Sequence, residues 1–178
     1  MTKNRMSTGQ VLPEFDVELI RQRGLKYKEL ASAFSYPKDE ELCLEYDRLF
    51  RLSEIWIYGT EHTAENEFQR AKELSDISGF YLAFGLQVDK ERPDALSCEL
   101  EFMHYLIHKG LYAFWKNLSK LEEKAQICHD AQKKFFFTHL YPAARKIAEA
   151  LISQGDNFYS TIAKEMLEFL KSEKRFLS

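Results

Sequence analysis

The stretch Pro93-Asp-Ala-Leu-Ser-Cys-Glu-Leu-Glu-Phe-Met-His-Tyr-Leu106 decides how the chain reads. At 100° per residue, Leu96, Leu100, Met103, Ile107, Leu111 and Phe114 share one helical face. Phe102, Leu106 and Ala113 widen that face to more than half the circumference, so the segment is a central helix, covered by others on most sides. Glu99 falls inside the apolar arc, whereas Glu101 and His108 project from the opposite side. A carboxylate on a buried face is costly unless it is hydrogen-bonded or paired. Two readings stand: Glu99 is bonded to a neighbouring helix's free N–H groups or to a tyrosine, or it is a polar anchor lining a groove.

Outward from this helix the chain stays helical. The four prolines, Pro13, Pro37, Pro93 and Pro142, each precede a helix-compatible stretch. Proline suits a first helical turn, where its missing N–H would be unpaired anyway. They predict helices near 14–35, 38–52, 93–117 and 142–153, with further ones at about 62–84, 119–139 and 157–174. The last is capped by Asp156 or Asn157. Ile20, Gly24, Tyr27, Ala31 and Phe34 form one stripe in the first helix, and Phe158, Ile162, Met166, Phe169 and Leu170 another in the last. The break in the proline-free stretch 94–141 falls at Asn117 to Ser119. Glycine and proline make up eleven of 178 residues, about half the usual share, which argues against many-turned β architectures. The expected fold is all-α, a single domain of about seven or more helices.

Charge and composition narrow the chemistry. The net charge is −3, with 25 basic and 28 acidic residues, and no basic stripe of the kind that nucleic acid requires. The three cysteines, Cys43, Cys98 and Cys128, sit in no ligand spacing and read as thiols packed as small hydrophobes. A polar N-terminus and the lack of an apolar run of ~20 residues point to the cytoplasm, with no integral membrane segment. Glu101-x-x-His104 has the spacing of one half of a di-iron site, but no second such motif occurs. There is no nucleophile elbow, P-loop or dinucleotide fingerprint. No catalytic residue, metal or cofactor is therefore expected. What stands out is aromatic content: 14 Phe, 9 Tyr and 2 Trp, many at helix ends, as in Trp56-Ile-Tyr58 and Phe80-Tyr-Leu-Ala-Phe84. Most read as core packing. Some suit a groove for an amphipathic or extended peptide.

These residues also carry a resemblance. Tyr27-Lys-Glu-Leu-Ala-Ser-Ala-Phe-Ser-Tyr-Pro37, Tyr46-Asp-Arg-Leu-Phe50, Gly59-Thr-Glu-His-Thr63, Gly79-Phe-Tyr-Leu-Ala-Phe-Gly85, the block from Arg92 to Met103, His139-Leu-Tyr-Pro142 and Phe158-Tyr159 occur in order. Over about 27–170 the chain resembles the TorD/DmsD/NarJ family, cytoplasmic chaperones that mature molybdenum oxidoreductases of the DMSO reductase type. The block from Pro93 to Met103 is the specific part. One departure is Ala95, where the family commonly has histidine after the aspartate. The resemblance implies an all-helical fold with a hinge near 85–93 between sub-parts at about 10–88 and 93–176, as a monomer or a domain-exchanged homodimer. It implies a binding protein without turnover, whose partner is a molybdopterin oxidoreductase catalytic subunit or its twin-arginine-type signal peptide. Asp94 and Glu99 would be polar anchors, with Tyr46, Leu49, Phe50 and Tyr81 forming or supporting an apolar groove. Two alternatives from other classes are a helical metal- or nucleotide-dependent enzyme and a helical scaffold for protein assembly.

Overall fold

A computed structural model describes residues 16–53, 55–89, 91–115 and 121–178. Seven helices carry the architecture: α1 (Val17–Phe34), α2 (Glu40–Phe50), α4 (Glu67–Ala83), α5 (Leu96–Trp115), α6 (Leu121–Phe135), α7 (Tyr141–Ile152) and α8 (Phe158–Leu177). A four-residue turn, α3 (Thr60–Thr63), precedes α4, and a π-helical turn (Phe136–Leu140) joins α6 to α7. Among the described residues there is no strand, only an isolated antiparallel bridge between Tyr58 and Ala95. The all-α, single-domain reading holds. No helix there is long and apolar enough to cross a membrane.

Short polar side chains set the helix starts. Asp16, Asp39, Asn66 and Asn157 each accept a hydrogen bond from a backbone N–H in the first turn of α1, α2, α4 and α8. That satisfies one donor a helix start would leave orphaned. The helix expected over 62–84 is broken after Thr63, because Ala64 is extended and Asn66 starts α4 afresh. The helix expected over 119–139 changes pitch at Phe136. Pro142 explains the change. It cannot donate to the carbonyl four residues back, and its ring would crowd it. The wider turn, in which the Tyr141 N–H reaches the Phe136 carbonyl, opens the backbone there. The break expected at Asn117 to Ser119, Pro13 and the side chain of Phe114 lie outside the described residues.

α5 is the central helix. Leu96, Leu100, Met103, Leu106, Ile107 and Leu111 are all buried, and α1 and α6 pack along it. Each such side chain contributes about 1.5–3 kcal/mol of burial. α1 lies close enough that a Cβ on Gly24 would meet Ile107 Cγ2 at 3.0 Å. His104 Nδ1 seals the approach at 2.8 Å from the Gly24 carbonyl oxygen. α7 and α8 pack on each other. The buried stripe of α8 is Tyr159, Ala163, Met166, Leu170 and Leu177, so Phe158 faces outward, one position off the expected line. Arg23 of α1 reaches Glu173 of α8 through two bonds of 2.6 and 2.7 Å, and its guanidinium stacks on Phe176 at 3.8 Å. Of the three thiols only Cys128 is buried; Cys43 and Cys98 are half-buried.

Candidate partner-binding site

The stretch 55–59 runs antiparallel to the residues that lead into α5. The Leu96 N–H donates to the Ile57 carbonyl (3.0 Å) and the Gly59 N–H to the Asp94 carbonyl (2.8 Å). This docks α3 against the start of α5. Gly59 is required by closeness: a Cβ there would lie 3.0 Å from the Ala143 Cβ of α7.

Asp94 is fully buried and all its acceptor capacity points inward. Its Oδ2 accepts from the Thr60 N–H (3.0 Å), the Thr60 hydroxyl (2.6 Å) and Arg92 Nη2 (2.9 Å), while Oδ1 accepts from Arg92 Nε (3.0 Å). Arg92 continues the network: it donates to Glu61 at 2.8 Å and lies 4.3 Å over the Tyr58 ring. Arg70 reaches the other Glu61 oxygen at 3.0 Å. Arg92 is the organiser that the sequence reading did not single out. Its signal was an arginine two residues before an aspartate that itself precedes a helix.

Glu99, one turn further along α5, is 1% exposed. Its Oε1 lies 3.6 Å from the position a Gly59 Cβ would take, and no hydrogen bond from a helix N–H or a tyrosine reaches Oε2. Burial pushes its carboxyl well above the usual range, and the nearby carboxylates of Asp94 and Glu73 push it further. Tyr81, also buried, donates from its hydroxyl to the Pro93 carbonyl at 2.7 Å and meets the Phe102 ring edge-on at 4.8 Å. Asp94, Glu99 and Tyr81 thus gather at the start of α5. Ala95 between them is buried, its backbone bridged to Tyr58.

Tyr46, Leu49 and Phe50 form a second group, on the inner face of α2. They are buried beneath an aromatic cluster in which Tyr159 stands 5.9 Å from Tyr46 and 5.2 Å from Phe50. Burial, with Tyr58 and Glu91 nearby, raises the Tyr46 phenol to about 12. Tyr58 itself is bridged to Ala95 and lies under Arg92, with the first group. Tyr36, half exposed, meets the Tyr46 ring edge-on at 5.2 Å, and elsewhere in and around α2 the chain leaves Leu44, Leu52 and Trp56 exposed. Isolated exposed apolar residues are ordinary, and a contiguous group of them is what marks an interaction surface. Periodicity could not find Leu52 or Trp56, since neither lies on a helix. Among the described residues no group of three or more His, Cys, Asp or Glu is placed to hold a metal.

The family described as nitrate reductase delta subunit matches residues 21–148, which contain both groups of site residues. The chain belongs to this family. Its members are NarJ/TorD-type chaperones, the group the sequence resembles. The perchlorate reductase assembly chaperone protein of Dechloromonas aromatica (strain RCB) is 34% identical over 114 residues, covering 56% of this chain. The match takes in 49% of that relative's own length, so the chain is matched to about half of it.

Proposed function

We propose that this protein is an assembly chaperone, without turnover of its own, for the catalytic subunit of a molybdenum-containing reductase. It binds the subunit's N-terminal segment or twin-arginine-type signal peptide until folding and cofactor insertion are complete. The observation that carries the reading is the family match over residues 21–148, within which Tyr36, Leu44, Leu52 and Trp56 stay exposed in and around α2. The relative named as a perchlorate reductase assembly chaperone supports the same class of client. Apolar residues of the client segment sit on these exposed side chains. The acidic net charge favours encounter with its arginines. Asp94 acts in this scheme by holding α3 and the 55–59 stretch in place, since its oxygens are already engaged. Glu99 is the acid left over for a polar anchor, Leu49 supports the Tyr46–Phe50–Tyr159 floor from below, and Tyr81 supports the junction through the Pro93 carbonyl. The protein works in the cytoplasm, before any export of the client.

The test is affinity capture from the native host grown under anaerobic respiration, read by mass spectrometry. Recovery of one large molybdopterin-dependent subunit, lost when that subunit's N-terminus is deleted, supports the reading. Capture that survives the deletion removes the N-terminal segment as the recognised part.

A further inference from the structure

Among the described residues three acids are buried: Asp94, Glu99 and Glu173. Arg92 and Thr60 hold Asp94, and Arg23 holds Glu173. No cation pairs with Glu99, and its Oε2 has no hydrogen-bond partner. The titratable groups that bear on it are Asp94 in the lead-in to α5, Glu73 and Tyr81 on α4, and Cys98 on its own helix. Arg92 places its donors on Asp94, Glu61 and Thr60 instead. α3 brings Glu61, paired with Arg92 and Arg70, and His62, whose Nε2 lies 2.7 Å from the Trp56 carbonyl oxygen. His139 of the π turn is committed to Asp76, and α7 presents the Ala143 methyl to Gly59.

What lies against this carboxyl is a thin piece of chain. The point where a Gly59 Cβ would stand is 3.6 Å from Glu99 Oε1 and 3.6 Å from the Asp94 carbonyl oxygen. The 55–59 stretch is tied to the start of α5 by two backbone bonds, Gly59 N–H to Asp94 and Leu96 N–H to Ile57, and the large side chains it buries are Ile55 and Ile57. The other neighbours are pinned more firmly: α4 by Ile77 and Tyr81, whose hydroxyl donates to the Pro93 carbonyl, and α5 by its whole line from Leu96 to Leu111. A lone charge in the interior is relieved either by holding a proton or by meeting water. Water enters most readily where the fewest buried contacts must part, which here is the 55–59 stretch. Trp56, 50% exposed, rides on that stretch.

We propose that Glu99 is a proton-held latch: with its proton in place the 55–59 stretch lies closed on α5, and on its loss the stretch lifts and carries Trp56 with it. As regulation of the client site this rests on the proposed function, whereas the latch itself is tested in the free protein. With the stretch open, Glu99 meets water and titrates near the ordinary 4.5; closed, it keeps the proton to higher pH. The closed state is therefore fully held at low pH, and the open fraction grows up to about tenfold per pH unit until the closed value is passed. Amide hydrogen exchange of the full isotope-labelled chain, corrected for the intrinsic base-catalysed rate, reads this opening between about pH 5.5 and about pH 7.5 at low urea. Protection at Gly59, Thr60 and Leu96 should fall by up to about tenfold per pH unit with little urea dependence. Met103 and Leu106 should exchange more slowly, with the full urea dependence of unfolding. In Glu99→Gln, which cannot ionise, the pH dependence at the three junction amides should vanish. Protection that is flat with pH overturns the latch, as does a slope that survives Glu99→Gln. Junction amides that exchange only together with Leu106 overturn it too, because the stretch then does not move alone. None of these outcomes changes if no client is captured, and a failed latch leaves the client reading standing.

Discussion

Replacing Glu99 by glutamine tests the buried junction directly. Glu99 is 1% exposed, its Oε2 has no partner, and the groups that bear on it are the carboxylates of Asp94 and Glu73. Burial, with that repulsion, favours the neutral acid, so its folded value lies well above the 4.5 of an open glutamate. The sign follows from linkage. Below 4.5 both folded and unfolded chains hold the proton, and the stabilisation is fully present. As pH rises, the unfolded chain releases it while the folded chain keeps it, and stability is lost until the folded value is passed. One proton makes the slope about 1.4 kcal/mol per pH unit. Glutamine cannot ionise, so Glu99→Gln removes the slope while keeping the shape. Urea melts of both proteins between about pH 5 and about pH 8 measure it, provided the m-value stays constant. The two proteins should agree at the acid end, and the variant should gain by that slope as pH rises. Parallel stability curves would refute the reasoning, because they mean that the ionised carboxylate is compensated inside the fold.

Other substitutions probe the remaining contacts. Asp94→Asn weakens the acceptor for Arg92 and Thr60, and thermal melts should show a loss of about 2 kcal/mol. Gly59→Ala drives a methyl against Ala143, so it should cost about 1–3 kcal/mol in the same assay. Glu173→Gln strands a buried guanidinium and should cost about 3–5 kcal/mol by urea titration, an effect that Arg21→Gln on the exposed face should not share. Trp56→Ala should leave the melting temperature within error yet weaken capture of the client segment about tenfold; unchanged capture would remove Trp56 from the site. Raising salt should weaken that capture if the client's arginines are read by charge.

Much of the architecture could be read from spacing because helix burial is periodic. Leu96, Leu100, Met103, Ile107 and Leu111 form the core line of α5, as their steps of three and four require. Glu99 could be placed inside that line for the same reason. Its lack of a partner could not, since what surrounds it, Gly59 and the carboxylates of Asp94 and Glu73, comes from other parts of the chain. The stripe of α8 kept Met166 and Leu170 but starts from Tyr159 instead of Phe158, because the two rings are similarly apolar and only the cluster beneath α2 selects Tyr159. The π turn left no mark in the Phe135-Phe-Phe137 run; Pro142 was the sign, readable as a helix start and as a strained joint alike. Of the six site residues, Tyr46, Leu49, Phe50 and Tyr81 could be recognised as aromatic or apolar but not sorted into two places. That sorting follows from the 55–59 stretch, which has no periodicity to betray it.

The pairing of α1 with α5 has a consequence for how the protein is made. Phe34 ends the first helix and Trp115 the fifth, 81 residues later, so at ~5–20 residues per second about 4–16 s separate their emergence from the ribosome. During that interval the stripe of Tyr27, Leu30 and Phe34 has no cover from its main neighbour. A nascent chain arrested before Leu96 should therefore be sticky and sensitive to protease, and one released with α5 and α8 both in place should not. A protein whose task is to shelter another chain's unfinished segment passes through the same exposure itself during synthesis.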